Sequence, residues 1–134
     1  MPKLYQLTLS EDFSAGHHLR DYNGKCESPH GHNFSVEITV EGDQLEPKAQ
    51  FLIDFGVMRR ELKAELEALD HKDLNTLPPF DRINPSSENL AAFLYQRLKT
   101  RFQETGKGLV RLKSVSVSEK PGQSALYMEF VQGG

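Results

Sequence analysis

The chain has 134 residues, of which 16 are Lys or Arg and 19 are Asp or Glu, giving a formal net charge of −3. This acidic balance argues against a protein that coats nucleic acid, and the single cysteine, Cys26, excludes an internal disulfide framework. The sequence has no apolar run of membrane-spanning length and no signal-peptide pattern. We therefore expect residues 1–134 to form one cytoplasmic domain that binds neither membrane nor nucleic acid.

Hydrophobic alternation predicts two strands in the first third of the chain. Apolar and polar residues alternate from Tyr5 to about Phe13, a period of two that is typical of a half-buried strand. The same alternation recurs over residues 33–40, with the apolar side chains on one face. The polar segment 17–29 between them contains Gly and Pro and is predicted to be a loop.

The apolar period becomes helical after Asp54, where leucines recur at helical spacing up to Leu69. A second helix is predicted to begin near Ser86, with Ser86 or Ser87 as its N-cap, and to end at Gly106. Alternating apolar residues then predict two short strands, one around 115–117 and one over 126–130. The order β-β-α-α-β-β predicts an α+β fold, with a four-stranded antiparallel sheet and two helices on one face. The other face would need a cover, which favours a homo-oligomer.

Four of the five histidines lie close together in sequence, at His17, His18, His30 and His32. His30 and His32 are two apart at the entry to the second strand, so their side chains should project to the same face. His17 lies just past the end of the neighbouring strand, whereas His18 should point the opposite way. Three imidazoles with an open fourth position are typical of a catalytic zinc site, and the alternative is solvated loop histidines that bind nothing.

Four further side chains are candidates for acid–base or binding chemistry. Cys26 lies in a polar loop beside a basic residue, which favours the thiolate, so it is either a fourth zinc ligand or a catalytic base or nucleophile. Asp70 and His71 follow the first helix and form either a proton-transferring pair or ordinary surface polarity. Glu119, at the end of the third strand, indicates by itself only a solvated charge.

Six sequence features occur in a characteristic order: Phe13-Ser14-Ala15-Gly16-His17, Cys26-x-x-x-His30-Gly31-His32, Ile53-Asp54-Phe55, Leu69-Asp70-His71-x-x-Leu74-Asn75, Asn84-Pro85-Ser86-Ser87-Glu88-Asn89 and Glu119. In order and spacing they resemble the 6-pyruvoyl-tetrahydropterin synthase / 6-carboxy-tetrahydropterin synthase family. The chain departs from the usual family pattern at Gly16, at the Ser86-Ser87 pair and at Lys120. None of these departures affects a metal ligand or a proton-relay residue of the family.

The resemblance implies a tunnelling fold, whose subunits pair their sheets into a barrel and stack as a hexamer, a dimer of trimers. By this resemblance, one zinc ion per subunit is held by His17, His30 and His32. The proton-abstracting base is Cys26, and its relay is Asp70 and His71. The substrate contacts are Glu119, which binds the pterin ring, and Ser87 at the helix start.

The short gap between Cys26 and His30 is similar to that of the bacterial 6-carboxy enzyme. The implied reaction is a zinc-dependent lyase step from 7,8-dihydroneopterin triphosphate to 6-carboxy-5,6,7,8-tetrahydropterin, with release of acetaldehyde and triphosphate, in queuosine and deazapurine synthesis. Within the family the alternatives are 6-pyruvoyl-tetrahydropterin formation and side-chain cleavage to 6-hydroxymethyl-dihydropterin for folate synthesis. Glu27, beside Cys26, is a candidate second base for that cleavage. A zinc-stabilised pterin-binding module without turnover is the alternative from another class.

Overall fold

The computed structural model describes residues 2–20 and 30–130 of the chain. Their elements, in chain order, are β1 (Tyr5–His17), β2 (His30–Gly42), α1 (Phe55–Leu66), β3 (Lys72–Asp73), a 3₁₀ turn (Leu74–Thr76), α2 (Ser87–Thr105), β4 (Arg111–Lys120) and β5 (Gln123–Tyr127). The two helices and four longer strands follow the predicted order, and the α+β class is confirmed. In the described ranges, no helix is long and apolar enough to cross a membrane.

The sheet differs from the prediction in having five strands and mixed direction. Its order is β3-β1-β2-β4-β5, and all neighbours are antiparallel except β3, which runs parallel to β1. The expected four-stranded, purely antiparallel sheet is therefore wrong in this detail. Strand β3 has only two residues, both exposed, so it carries no hydrophobic alternation from which a strand is predicted.

The register of β1 and β2 determines what meets at one end of the sheet. The two strands pair over 13 residues each, and His17 lies opposite His30, Ala15 opposite His32 and Phe13 opposite Phe34. Residues opposite each other in an antiparallel pair share a face of the sheet. The rings of Phe13 and Phe34 stack on that face, with centroids 4.9 Å apart. The histidine end of both strands is thus joined directly to the apolar core.

The inner face of the sheet is apolar and packs against both helices. Strand β2 supplies four side chains without solvent exposure: Phe34, Val36, Ile38 and Val40. The helices supply buried stripes that join the same core: Met58, Leu62 and Leu66 of α1, and Leu90, Leu94, Leu98 and Phe102 of α2. Each such side chain contributes about 1.5–3 kcal/mol on burial. The two helices cover one face of the sheet, as predicted.

Side-chain caps fix where both helices begin. The Asp54 side chain accepts a hydrogen bond from the Gly56 N–H at the start of α1, and Ser86 accepts one from the Asn89 N–H at the start of α2. Each such cap contributes about 1 kcal/mol, since it satisfies a backbone donor that the helix leaves unpaired. The cap at Ser86 matches the prediction, and it places Ser87 as the first residue of α2.

Candidate metal centre and its adjoining pockets

Three side chains from three strands converge at the histidine end of the sheet. His17 ends β1, His32 lies at the start of β2 and Glu119 lies near the end of β4. One ligand atom from each lies within 4.8 Å of the other two. The Oε2 atom of Glu119 is 3.0 Å from His17 Nε2 and 3.4 Å from His32 Nε2. Imidazole nitrogen and carboxylate oxygen are both zinc ligands, so these three side chains fit a metal site. We refer to His17, His32 and Glu119 as the metal-ligating group.

The ring of His17 is buried and held in one orientation. Its side chain is 3% exposed, and its Nδ1 lies 2.9 Å from the carbonyl oxygen of Pro85. Because a carbonyl can only accept, Nδ1–H is the donor, and Nε2 is the ring nitrogen that faces Glu119. The ring also packs edge-on against Phe34, with centroids 5.1 Å apart. Metal-ligating histidines are commonly oriented in this way by a hydrogen bond from the second ring nitrogen.

The described ranges include some, but not all, of the other candidate ligands and bases in the N-terminal half. The backbone of His30 lies opposite His17 in the β1–β2 register, which is the position expected for a third ligand. Cys26 and Glu27 lie outside the described residues. Among the described residues, the group that could hold a metal contains His17 and not His18. The His18 backbone N–H donates to the Asn75 side chain.

Glu119 belongs to the metal-ligating group and also lines a pocket of about 230 Å³. The pocket contains His17, Glu119 and Ser87, together with residues of β5. Ser87 therefore lies in the same pocket as Glu119, although the two are far apart in sequence. Contact between Glu119 and the histidines was not predicted, because it depends on how β4 is registered against β2.

A second cleft, of about 430 Å³, includes both His32 and His71 among its lining residues. The Asp70 carboxylate accepts a hydrogen bond from the Ser14 N–H at 2.9 Å, and its second oxygen is 3.1 Å from His71 Nδ1. The hydrogen bond from the Ser14 backbone holds the pKa of Asp70 below its ordinary value, with a further contribution from His71. The expected pairing of Asp70 with His71 is present in the structure.

The backbone at His71 is held in an unusual conformation. Its φ angle is 59°, in the left-handed region that costs a non-glycine residue about 1–2 kcal/mol. The His71 N–H donates to the Ser14 carbonyl at 2.6 Å, and the ring is 81% exposed. Strain of this kind persists where surrounding contacts enforce it, and it is concentrated at functional sites.

A family model described as 6-pyruvoyl tetrahydropterin synthase matches residues 6–129. The chain belongs to this family. It is 33% identical over 93 residues to a dihydroneopterin monophosphate aldolase of Pyrococcus furiosus, covering 69% of this chain and 72% of that protein. It is 30% identical over 131 residues to a 6-carboxy-5,6,7,8-tetrahydropterin synthase of Bacillus subtilis, covering 94% and 86%.

The fold of this tetrahydropterin synthase family member matches that of solved relatives. The structure of Caenorhabditis elegans 6-pyruvoyl tetrahydropterin synthase superposes with a TM-score of 0.80 at 23% identity, covering 96% of this chain and 97% of that chain. The resemblance inferred from the sequence motifs is confirmed. The relatives carry three different activity names, so the reaction of this chain has to be argued from its own residues.

The asparagines of the family motifs hold the segment that follows His17. The Asn75 side chain accepts from the His18 N–H and donates to the His18 carbonyl, at 2.9 and 3.1 Å. Asn84 does the same for the backbone of Arg20, at 2.9 Å in both directions. Paired amide contacts replace the hydrogen bonds that a neighbouring strand would supply. Both asparagines lie in the sequence motifs, but the motifs did not predict that their side chains bind the backbone after His17.

Arg20 makes a dense set of contacts of its own. Its guanidinium donates to the backbone carbonyl of Phe80 at 2.7 Å, to that of Ile83 and to the Asn84 side chain. These acceptors belong to the connector between the 3₁₀ turn and α2. Arg20 therefore joins the end of β1 to the segment that carries the Pro85 carbonyl.

Proposed function

We propose that this protein is a zinc-dependent lyase that converts 7,8-dihydroneopterin triphosphate into 6-carboxy-5,6,7,8-tetrahydropterin, releasing acetaldehyde and triphosphate. The observation that carries the proposal is the His17–His32–Glu119 group, which adjoins one pocket containing Ser87 and one cleft containing His71. Metal ligands, a substrate pocket and a proton-transferring pair are the components that this lyase chemistry needs.

The metal would be held by His17, His32 and His30, with one ion in each subunit. His17 is already fixed in the ligating tautomer by the Pro85 carbonyl. Zinc supplies Lewis-acid chemistry, which acidifies the hydroxyls of the substrate side chain and polarises a developing carbonyl. The apolar packing of His17 against Phe34 limits the access of water behind the ligands.

The pterin ring would bind in the pocket shared by Glu119 and Ser87. A carboxylate accepts two parallel hydrogen bonds, which matches the paired ring and exocyclic N–H groups of a pterin. Ser87 offers a hydroxyl at the first residue of α2, where backbone N–H groups are also exposed. Glu119 would thus position the ring so that the side chain extends towards the histidines.

Two groups would move the protons. Cys26, four residues before His30, would act as the thiolate base that removes a carbon-bound proton beside the ring. His71 would act with Asp70 as the general acid. Asp70 Oδ2 lies next to His71 Nδ1, which leaves Nε2 of the exposed ring as the atom that exchanges a proton. The lowered pKa of Asp70 keeps its carboxylate ionised for this task.

We also propose a cytoplasmic homohexamer built as a dimer of trimers. Strand β5 is the last strand of the sheet, so its outer edge has no partner strand in the described part of the chain. On the other side, β3 pairs with only Ala15 and Gly16 of β1. Long unpaired edges are usually covered or extended by another subunit. Pairing these edges between subunits would continue the sheet into a barrel.

Side-chain cleavage to 6-hydroxymethyl-dihydropterin is a second candidate activity. It is favoured by the similarity to the Pyrococcus furiosus protein named as a dihydroneopterin monophosphate aldolase and by the adjacent Cys26 and Glu27. A carboxylate base could remove a hydroxyl proton and start a retro-aldol cleavage. Formation of 6-pyruvoyl-tetrahydropterin remains the third activity of the family, and a module without turnover would have no use for the oriented Asp70–His71 pair.

Product identification tests the proposal. The zinc-loaded protein is incubated with 7,8-dihydroneopterin triphosphate, and the products are identified by mass spectrometry for the wild type, Cys26→Ala and Glu27→Ala. We expect 6-carboxy-5,6,7,8-tetrahydropterin and acetaldehyde from the wild type and neither from Cys26→Ala. A wild type that yields only 6-hydroxymethyl-dihydropterin, lost in Glu27→Ala, would establish the second candidate instead.

A further inference from the structure

Two acceptor atoms face each other at the centre of the metal-ligating group. His17 donates its Nδ1–H to Pro85, so Nε2 of the neutral ring presents a lone pair. That lone pair lies 3.0 Å from the Oε2 atom of Glu119, which is buried and accepts no hydrogen bond from a described side chain. Two lone pairs at this distance repel each other, so a positive charge has to lie between the two atoms, either a proton on Nε2 or a metal ion bound to both. A proton bridges only two atoms, whereas here a third ligand atom, from His32, lies 3.4 Å from the same oxygen. The arrangement therefore points to a shared positive ion.

The distance from Glu119 to His32 matches the spacing of ligands around zinc, and the distance to His17 is slightly shorter than that spacing. A tetrahedral zinc with bonds of about 2.0–2.1 Å holds its ligand atoms about 3.3–3.4 Å apart. The Oε2 atom of Glu119 lies 3.0 Å from one imidazole nitrogen and 3.4 Å from the other. The third pair, His17 with His32, lies within the same 4.8 Å limit. A carboxylate positioned only to hold a distant pterin ring would not need to approach both ligand nitrogens.

We propose that Glu119 is itself a ligand of the metal while the substrate is absent, and that substrate displaces it. The carboxylate would occupy the coordination position that the three-histidine arrangement leaves open. When the substrate hydroxyls take that position, Glu119 is released to accept the N–H groups of the pterin ring in the adjoining pocket. This second step rests on the proposed function, whereas the ligation of the resting metal does not.

Charge supports the same assignment. Neutral imidazoles leave the full 2+ charge of zinc uncompensated, and a buried charge is costly unless it is paired. Glu119 is the one carboxylate among the described residues that lies within the metal-ligating group, and its side chain is 30% exposed. Partial exposure leaves it room to leave the metal for the pocket. The buried ring of His17 has no such freedom.

Zinc affinity in the absence of any pterin tests the ligation. Apo protein is titrated with zinc against a chelator for the wild type, Glu119→Gln and Glu88→Gln. Glu88 lines the same pocket without belonging to the metal-ligating group, so its variant removes the same charge nearby. We expect Glu119→Gln to weaken zinc binding by at least about tenfold and Glu88→Gln to change it by less than about threefold. Equal affinities for wild type and Glu119→Gln overturn the proposal.

A crystal structure of the zinc-loaded wild type without pterin provides a test that needs no variant. We expect a Glu119 oxygen at about 2.0–2.2 Å from zinc, and a distance beyond about 3 Å overturns the proposal. The two proposals fail separately. Zinc ligated by Glu119 in a protein that forms no pterin product refutes the proposed function alone, and full turnover with an unligated Glu119 refutes this inference alone.

Discussion

The two histidine-centred regions of the site are built in opposite ways. His17 is 3% exposed, packs on Phe34 and is oriented by a backbone carbonyl from a distant segment. His71 is 81% exposed, and it is held through its own strained backbone and one carboxylate. A metal ligand has to be fixed in position and tautomer, whereas a proton donor has to reach its substrate and exchange protons with water. The contrast in burial therefore supports the two different roles that we propose for these imidazoles.

Replacing a histidine of the metal-ligating group should have the largest effect on zinc binding and turnover. We expect His32→Ala to abolish turnover and to weaken zinc binding by at least about a hundredfold. The fold should survive, because the ring is 29% exposed and the apolar core lies elsewhere. Metal analysis, circular dichroism and product assays measure the three quantities. An unfolded variant would mean that the metal is structural.

Replacing the exposed histidine should separate chemistry from metal binding. We expect His71→Gln to lower kcat by about 10²–10⁴-fold, the usual contribution of a general acid. Zinc affinity and thermal stability should stay close to wild type, since the ring is exposed and does not belong to the metal-ligating group. A matched loss of zinc in this variant would contradict the division between the two regions.

Two further substitutions at the same position measure the backbone strain. At φ 59° glycine is favoured over alanine, so we expect His71→Gly to be more stable than His71→Ala by about 1 kcal/mol. Thermal unfolding of the two variants gives the difference. Equal stabilities would show that the backbone relaxes once the imidazole is removed.

The smallest expected effect is on the pH dependence of folding. The Ser14 N–H lowers the pKa of Asp70 from its ordinary value of 3.8. A carboxylate with a lowered folded-state pKa stabilises the fold above its unfolded pKa, and that stabilisation is lost as the pH falls through the folded-state pKa. We expect the stability difference between wild type and Asp70→Asn to shrink as the pH is lowered from 6 to below 3.8. Urea unfolding across this range measures it, and a constant difference would contradict the role of the Ser14 contact.

The fold was predictable where hydrophobic periodicity was strong. Both helices and the centres of β1 and β2 follow it, and the Ser86 cap lies where predicted. The strand ends were not predictable in this way, because β1 continues to His17 and β2 begins at His30, and both extensions have little apolar alternation. Those extensions form because each strand supplies the hydrogen-bond partners of the other, a long-range effect that a local pattern does not contain.

The bounds of the last strand also differ from those that the local apolar pattern predicts. Alternation over 126–130 predicted a strand there, whereas β5 spans Gln123–Tyr127. Its position follows from pairing with β4, in which Val117 lies opposite Ala125. Tertiary pairing therefore outweighs the local apolar pattern at the edge of the sheet.

The site was predictable in its residue types more than in its contacts. Spacing predicted that His30 and His32 share a face, and the expected pairing of the first two strands brought His17 beside them. In the β1–β2 register His17 lies opposite His30. The approach of Glu119 to both histidines follows from the β2–β4 register, in which the neighbouring Ser118 lies opposite Ser35. A local hydrophobic pattern does not specify how two strands are registered, so Glu119 could be assigned a role only through the family resemblance.

The orientation of His17 by the Pro85 carbonyl has a consequence for how this protein tolerates change. A main-chain oxygen is present whatever side chain occupies position 85, so point substitutions there leave the acceptor in place. Its location instead depends on the length of the connector before α2, which Arg20 and Asn84 hold against the end of β1. Insertions or deletions in residues 78–85 would displace the acceptor, and so would loss of the Asn84 side chain that anchors this connector, whereas substitutions at position 85 would not. The tautomer of His17 is thus determined by the length and the anchoring of this loop, and the side chain at position 85 matters little for it.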